Sequence, residues 1–274
     1  MISIFFKALY IRFLTNSSVE IKWDIENTPE DIKQVSFVVY KSETPEAGYT
    51  PISPELTDLF TYRDAWTGYD DSKFKIIYYK VRAFIKSDPS KFVETKPDYV
   101  HENPEDDSQS PFVDPVVDAV RRANVLLSHE RYRVGKPCIV YQKRTFGQRC
   151  KCFDPILQRV TKSKCEYCLG TGRIEGYHSG IEDVFINFVS LNKTKMIQFW
   201  GDTEPGETQA WTSNFPIVKP EDIIINKLTN EYYVIKRIRT SFHLIPIRQT
   251  ILVRKLNFDD IKTSLPFDTK VFRM

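Results

Sequence analysis

The fold class is decided by the stretch Asp222-Ile-Ile-Ile-Asn226-Lys-Leu-Thr-Asn-Glu231-Tyr-Tyr-Val-Ile-Lys-Arg-Ile238. Two runs rich in Ile, Val and Tyr flank the polar turn Leu228-Thr-Asn-Glu231, a pattern typical of a β-hairpin. Further strand-like runs occupy Cys138–Gln142, Val184–Val189, Lys195–Trp200 and Gln249–Arg254. We therefore predict one β-barrel or sandwich from residue 138 to about 262.

The composition of the 274-residue chain agrees with a mainly β protein. Hydrophobic residues make up 41% and charged residues 27%, a balance typical of folded domains, and the 14% share of aromatic residues favours strands. No run approaches the ~20 apolar residues of a membrane span, so we expect no membrane partner. Lys7 and Arg12 interrupt the apolar N-terminus, so we expect no signal peptide and a reducing cytoplasm as the site of synthesis.

The first third of the chain reads as a small antiparallel sandwich. Strand-like runs cover Val19–Asp24, Val35–Lys41, Phe60–Asp64 and Lys75–Phe84, with a weakly marked last strand within Ser90–Lys96. Trp23 in an early strand, Val38-Val-Tyr-Lys-Ser42, Tyr62-Arg-Asp64 and Tyr78-Tyr-Lys-Val-Arg-Ala83 carry a resemblance to fibronectin type III domains. The resemblance implies that residues 1–97 form such a sandwich, with Trp23 in its core and Tyr78 or Tyr79 as a corner tyrosine.

A linker and a helix separate this region from the C-terminal one. Residues 98–113 are acidic, polar and bounded by proline, which is typical of a linker. Asp114 can cap a helix whose first position suits Pro115, and apolar residues recur on one face at Val116, Val120, Ala123 and Leu127. We predict one linking helix within 114–134, running to about Arg131, and a β-domain over 135–274.

Four cysteines form the strongest chemical motif. Cys150-Lys-Cys152 and Cys165-Glu-Tyr-Cys168 are separated by twelve residues, inside a segment of about 147–177 that we predict to be inserted between the first two strands of the β-domain. Two close pairs of thiolates on two turns suit the tetrahedral coordination of zinc. The glycine two residues after the second pair, Gly170, allows the bend that points backbone N–H groups at sulfur.

The second pair resembles the knuckle of zinc ribbons and one repeat of the cysteine-rich region of DnaJ-type chaperones. The chain has one such repeat and a C-x-C partner, so chaperone function does not carry over. Four cysteines leave no open position for a catalytic water, which predicts a structural zinc ion. Neighbouring cations would offset the negative charge of the thiolates: Arg149, Lys151, Lys162 and Lys164. Two disulfides or free thiols are the alternatives, and Cys138 reads as a small buried hydrophobe.

The usual sequence motifs of catalysis are missing. The chain has no G-x-G-x-x-G, G-x4-G-K-[ST], H-E-x-x-H or G-x-S-x-G, and its four histidines, at 101, 129, 178 and 243, are far apart. We therefore expect no enzymatic activity. An enzyme or sugar-binding module, using Trp66, Trp200 or Trp211, remains an alternative.

Positive charge is concentrated around the first cysteine pair. Between Arg131 and Lys164 lie ten Lys or Arg residues and one acid, Asp154. The aromatic residues Tyr132, Tyr141, Phe146 and Phe153 lie among the charges and could stack on bases. A DNA contact through this stretch, in a nucleic-acid-binding zinc-ribbon protein, is the main alternative function.

The C-terminal region resembles connector and tail-region proteins of tailed bacteriophages. The resemblance lies in Ala210–Ile225, Glu231–Ile238 and Pro246–Gln249, where a P-x-D-x-I segment is followed by Y-x-V. It implies a virion protein of the neck, tail or baseplate that forms a ring of identical subunits with other virion proteins as partners, assembled in the host cytoplasm. A non-enzymatic structural role is the function that we predict.

Overall fold

The computed structural model describes residues 5–15, 18–26, 34–65, 76–99, 115–128, 133–189, 196, 199–242 and 246–266. Strands dominate these residues, which confirms the mainly β class. The chain divides into two compact units, the first comprising residues 1–118 with 146–148 and the second 119–145 with 149–274. No described helix is long and apolar enough to cross a membrane.

The first unit contains two antiparallel sheets. One has the strand order β1-β2-β5 and the other β4-β3-β6-β7, with the short strand β8 also paired to β6. The strands are β1 Phe6–Thr15, β2 Ser18–Ile25, β3 Val35–Ser42, β4 Thr50–Pro51, β5 Thr61–Ala65, β6 Tyr78–Ile85, β7 Asp88–Glu94 and β8 Asp98–Tyr99.

Apolar side chains at alternate positions of β2, β3 and β6 form the core of this unit. Trp23 is fully buried, as predicted, with its ring centroid 5.7 Å from that of Phe37 and 6.3 Å from that of Phe60. Tyr79 is also fully buried, and its hydroxyl donates to the Asp64 carboxylate at 3.1 Å. Tyr79, not the half-buried Tyr78, thus takes the core position considered for a corner tyrosine.

Two elements of this unit differ from the sequence prediction. Strand β1 was not predicted, because Lys7 and Arg12 interrupt its apolar pattern; in the sheet Arg12 lies opposite Glu20 on β2 and forms an ion pair with it. Strand β8 lies inside the range predicted as a linker. The rest of that linker, residues 100–113, lies outside the described residues.

The predicted helix is present as α1, Pro115–Ser128. Pro115 is its first residue, and Val120, Ala123 and Leu127 are buried within this chain. A side chain at Gly135 would collide with Leu127 and with Phe185, so the end of α1 lies close to the β-domain. The predicted cap Asp114, the side chain of Val116 and the predicted end at Arg131 lie outside the described residues.

The second unit is built on a closed barrel, so the barrel and not the sandwich is the form of the C-terminal β-domain. Its strand order is β12-β13-β16-β15-β14-β9, all antiparallel neighbours. The strands are β9 Lys136–Tyr141, β12 Ile181–Val189, β13 Glu207–Thr212, β14 Ile223–Asn226, β15 Glu231–Phe242 and β16 Pro246–Lys255. The hairpin predicted around the turn Leu228–Glu231 is confirmed as β14–β15.

One predicted barrel strand is wrong. In the range Lys195–Trp200 the described residues Met196, Phe199 and Trp200 have helical backbone. Met196 and Trp200 pack on Leu252 of β16, so this apolar run covers the outside of the barrel. The sixth barrel strand is instead β13, which follows it.

Candidate metal centre

The four predicted cysteine ligands lie together in one hairpin between β9 and β12. All four Sγ atoms lie within 4.8 Å of one another, with Cys150 and Cys165 3.6 Å apart and Cys152 and Cys168 3.3 Å apart. Four sulfurs at tetrahedral corners around one metal ion would be about 3.8 Å apart, given metal–sulfur bonds of about 2.3 Å. None of the four forms a disulfide, and all four are buried. The cluster can therefore bind a metal ion.

Two chain turns place the sulfurs. The first pair precedes the small hairpin of β10 (Phe153–Asp154) and β11 (Arg159–Val160), where Thr161 donates its N–H and its hydroxyl to the Cys152 carbonyl, both at 2.8 Å. In the second pair Leu169 N–H donates to the Cys165 carbonyl at 2.8 Å, and Thr171 closes a turn on the Cys168 carbonyl. A bond from Cys150 N–H to the Gly172 carbonyl, 3.0 Å, joins the two turns.

Glycines make the second turn possible. Gly170 and Gly172 have φ values of +78° and +81°, in the left-handed region that side chains other than glycine rarely adopt. A Cβ at Gly170 would lie 2.7 Å from the Ser163 carbonyl oxygen. The backbone groups of Gly172 and Gly170 hydrogen-bond to Cys168, as the sequence predicted for Gly170.

The pKa values of Cys152, Cys165 and Cys168 are shifted in different directions. Burial raises the pKa of Cys152, and its contacts with the other three sulfurs raise it further. Burial also raises the pKa of Cys168, against the hydrogen bonds from Gly172 and Gly170. For Cys165 burial is outweighed by the Tyr167 backbone N–H and by the neighbouring thiols, which lower its pKa to about 7. A cation is needed to hold four thiolates this close together.

Arg144 joins the two chain segments at the base of the hairpin, next to the barrel. Arg144 is buried, and it donates to the Tyr177 carbonyl at 3.1 Å and to the Glu175 carboxylate at 2.7 Å. In the sequence, Arg144 belongs to the basic stretch that could contact DNA. In the structure it forms an ion pair with Glu175, which lies 31 residues further along the chain. That pairing leaves no local signal in the sequence.

A buried carboxylate fixes the same base from the barrel side. Asp222 accepts the N–H of Lys143 at 2.8 Å on one oxygen and that of Lys219 at 2.7 Å on the other. Burial raises the pKa of Asp222 to about 7, although these two backbone bonds act in the opposite direction. Asp222 is the acid of the P-x-D-x-I segment, so this position has a structural task in the barrel.

The predicted basic residues take several different positions. Arg149 stacks on the Phe153 ring at 4.1 Å, and Lys164 lies 3.9 Å from Asp259 with both side chains largely exposed. Lys151 and Lys162 are exposed. Lys143 pairs with Glu221, and Arg131 and Tyr132 lie outside the described residues. Arg149, Lys151, Lys162 and Lys164 are thus neighbours of the cysteines in sequence, with positive charge opposite in sign to that of four thiolates.

His178, the histidine that the structure describes, takes no part in this cluster. His178 is buried and donates its backbone N–H to the Gln142 carbonyl, while His101, His129 and His243 lie outside the described residues. Among the described residues, the four cysteines are the group of metal-binding side chains that lies close enough to hold an ion. Cys138 is fully buried in β9, as expected of a small hydrophobe.

Comparison with known proteins leaves the family open. No family model matches the chain, and no curated protein matches it. A solved structure described as titin kinase and its flanking domains aligns with 91% of this chain and 37% of that chain, at 8% sequence identity and a TM-score of 0.28. This chain thus spans little more than a third of that protein, and so low a score carries no argument about fold or function.

Proposed function

We propose that the cysteine cluster binds one structural zinc ion. Tetrahedral sites of four sulfur ligands suit zinc or iron, and zinc is the common structural ion of paired-cysteine ribbons. Four thiolates fill the coordination sphere and leave no place for a reacting water. The formal charge of −2 is offset by Arg149, Lys151, Lys162 and Lys164.

The proposed task of the zinc ion is to stiffen a projecting contact hairpin. The tip between β10 and β11 exposes Ile156 to 89% and Leu157 to 54%. Asp154 fixes this tip, because its Oδ1 accepts the N–H groups of Ile156 at 2.8 Å and Leu157 at 3.0 Å. Tyr167, 75% exposed, adds an aromatic side chain from the turn between the second cysteine pair. Preorganised apolar side chains on a rigid hairpin favour association with another protein.

We infer that the protein is a non-enzymatic structural component of a bacteriophage virion. It would form contacts in the neck, as part of the head–tail connector, or in the tail region, as a ring of identical subunits joined to other virion proteins. The observation that carries this proposal is the cysteine-clamped hairpin with its exposed apolar tip. The resemblance of residues 210–249 to connector and tail-region proteins supports the same conclusion.

The zinc part is tested by metal analysis of the purified full chain. We expect one zinc ion per chain, lost on Cys165→Ser, whereas Cys138→Ser keeps it. Iron in place of zinc, or no bound metal in protein prepared under reducing conditions without chelators, would contradict the proposal.

The assembly part is tested on the contact tip. Ile156→Asp with Leu157→Asp should prevent ring formation, measured by light scattering and electron microscopy, without loss of zinc. Leu228→Asp, an exposed leucine in the turn between β14 and β15, is the matched control. A tip variant that forms rings like the unaltered protein would refute a contact role for the hairpin. Electron microscopy of the virion would then show where the chain lies, or show that the virion does not contain it.

A second candidate function is a zinc-ribbon protein that binds nucleic acid. It is favoured by the cations of the hairpin that remain exposed: Lys151, Arg159, Lys162 and Lys164. Binding of this kind should weaken steeply with salt and should fall when Lys162 and Lys164 are changed to Gln. This second function is excluded if the tip variants abolish assembly and the unaltered protein does not bind DNA at low salt.

A further inference from the structure

A second basic surface lies on the outside of the barrel. It spans β13, β16 and β15, which are neighbours in that order. The register places Trp211, Thr250 and Arg239 in one cross-strand row, and Gln209, Leu252 and Arg237 in the next row on the same face. Arg248 precedes Thr250 by two residues, so it shares that face. We call Arg237, Arg239, Arg248, Phe199 and Trp211 the arginine face.

The helical residues after β12 complete this surface. Trp200 is buried against Leu252 and donates its indole N–H to Gln209 at 2.9 Å. Arg237 donates to the Trp200 carbonyl at 2.8 Å. These contacts fix the neighbouring Phe199, whose side chain stays 38% exposed at the edge of the face. An aromatic ring is thus held at the protein surface by buried neighbours.

Aromatic rings orientate two of the three arginines of this face, Arg239 and Arg248. The Arg239 guanidinium lies 4.6 Å from the centre of the Phe199 ring and 5.5 Å from that of Trp200, and Arg248 lies 5.7 Å from that of Trp211. All three arginines are exposed. Stacking holds a guanidinium plane in place while its N–H groups remain available for a ligand.

No carboxylate neutralises these three arginines within the part of the chain that the structure describes. Two other cations of the same strands are paired, Arg254 with Glu204 at 2.6 Å and Lys255 with Glu231 at 2.5 Å. The arginine face is therefore a local concentration of positive charge, although the chain as a whole has a net charge of only +3.

We propose that the arginine face binds nucleic acid through its phosphate backbone. Arginine is suited to two-pronged contacts with phosphate oxygens, and the rings of Phe199, 38% exposed, and of the half-buried Trp211 can stack on unpaired bases. An acidic protein segment would satisfy the charges but would make no use of the flat aromatic rings. The ligand class is thus single-stranded DNA or RNA, with duplex bound more weakly. This proposal rests neither on the zinc ion nor on the assembly role.

The test is fluorescence anisotropy of the full chain with a labelled 20-nucleotide strand and with the matching duplex at several salt concentrations. The double variant Arg239→Gln with Arg248→Gln should lower the salt slope for the single strand by about 1.4, since each phosphate contact contributes about 0.7. Phe199→Ala should weaken single-strand binding by roughly five- to hundredfold. Arg239→Lys with Arg248→Lys should recover only part of the affinity, because lysine keeps the charge but not the planar fork.

Matched controls separate this surface from the hairpin. Arg254→Gln with Lys255→Gln removes two charges from the same strands, but those charges are already paired, so we expect affinity within about twofold of the unaltered protein. Loss of binding in Lys162→Gln with Lys164→Gln, while Arg239→Gln with Arg248→Gln binds normally, would assign nucleic acid to the hairpin and overturn the proposal. No binding to either nucleic acid at 50 mM salt would also overturn it, as would equal binding to polyglutamate.

Discussion

Replacing Gly170 by alanine should loosen the metal centre far more than the same change at another glycine of similar conformation. Gly170 and Gly206 have φ values of +78° and +83°. An alanine forced into this region costs about 1–2 kcal/mol at either site. At Gly206 the new methyl group meets nothing within 4 Å, whereas at Gly170 it would lie 2.7 Å from the Ser163 carbonyl oxygen.

The expected difference can be stated as metal affinity. Because the Ser163 carbonyl is backbone, the turn carrying Cys168 must move to relieve the overlap, which displaces the Gly170 hydrogen bond to that thiolate. If the displacement of Cys168 costs about 1.4 kcal/mol of binding free energy, the metal already binds tenfold more weakly. We expect Gly170→Ala to lose at least tenfold in zinc affinity, measured by competition with a chromophoric chelator, and Gly206→Ala to stay within twofold. Equal affinities in the two variants would refute the argument that Gly170 is required by close approach.

Three further predictions concern residues outside the metal centre. Asp222 has a pKa of about 7 in the folded chain, above the ordinary value of 3.8, so stability should fall as the pH rises between these values; the urea-unfolding free energy of Asp222→Asn should lack this slope, and parallel pH curves would contradict the assignment. Arg144→Met removes a buried donor from Glu175 and from the Tyr177 carbonyl, and should cost about 1–3 kcal/mol in the same measurement. Trp23→Ala should cost about 3–5 kcal/mol, because Trp23 is fully buried between Phe37 and Phe60; a loss below 1 kcal/mol would mean that this core adapts.

Features encoded by neighbouring residues were the predictable ones. The hairpin of β14 and β15 could be predicted because its strands and its polar turn are adjacent in sequence. The cysteine cluster could be predicted because each close pair already fixes two ligands on one turn. Helix α1 followed from the position of Pro115 and the spacing of Val120, Ala123 and Leu127.

Features that depend on distant partners were missed or misread. The apolar run Lys195–Trp200 fits a strand or a helix equally well, and the helical form of its described residues is accompanied by contacts of Trp200 with Leu252, Gln209 and Arg237. Strand β1 was missed because Arg12 breaks its pattern, although Glu20 on the next strand compensates the charge. The arginine face could not be found by counting charges along the chain, since its arginines meet only when β15 and β16 pair.

The barrel and the cysteine hairpin form one continuous piece of backbone bonding. From β9 and β12 the ladder continues outward through His178 N–H to the Gln142 carbonyl and Arg144 N–H to the Gly176 carbonyl. It reaches the cysteines at the bond between Cys150 and Gly172. The direction of the hairpin is thus set by the barrel, while its far end has few apolar side chains of its own to bury. A metal ion that joins residues 150 and 168 closes that end, and its binding free energy stabilises the folded hairpin where the ladder is weakest. Removal of the metal should therefore free the tip residues Ile156 and Leu157 and leave the barrel strands protected in hydrogen exchange.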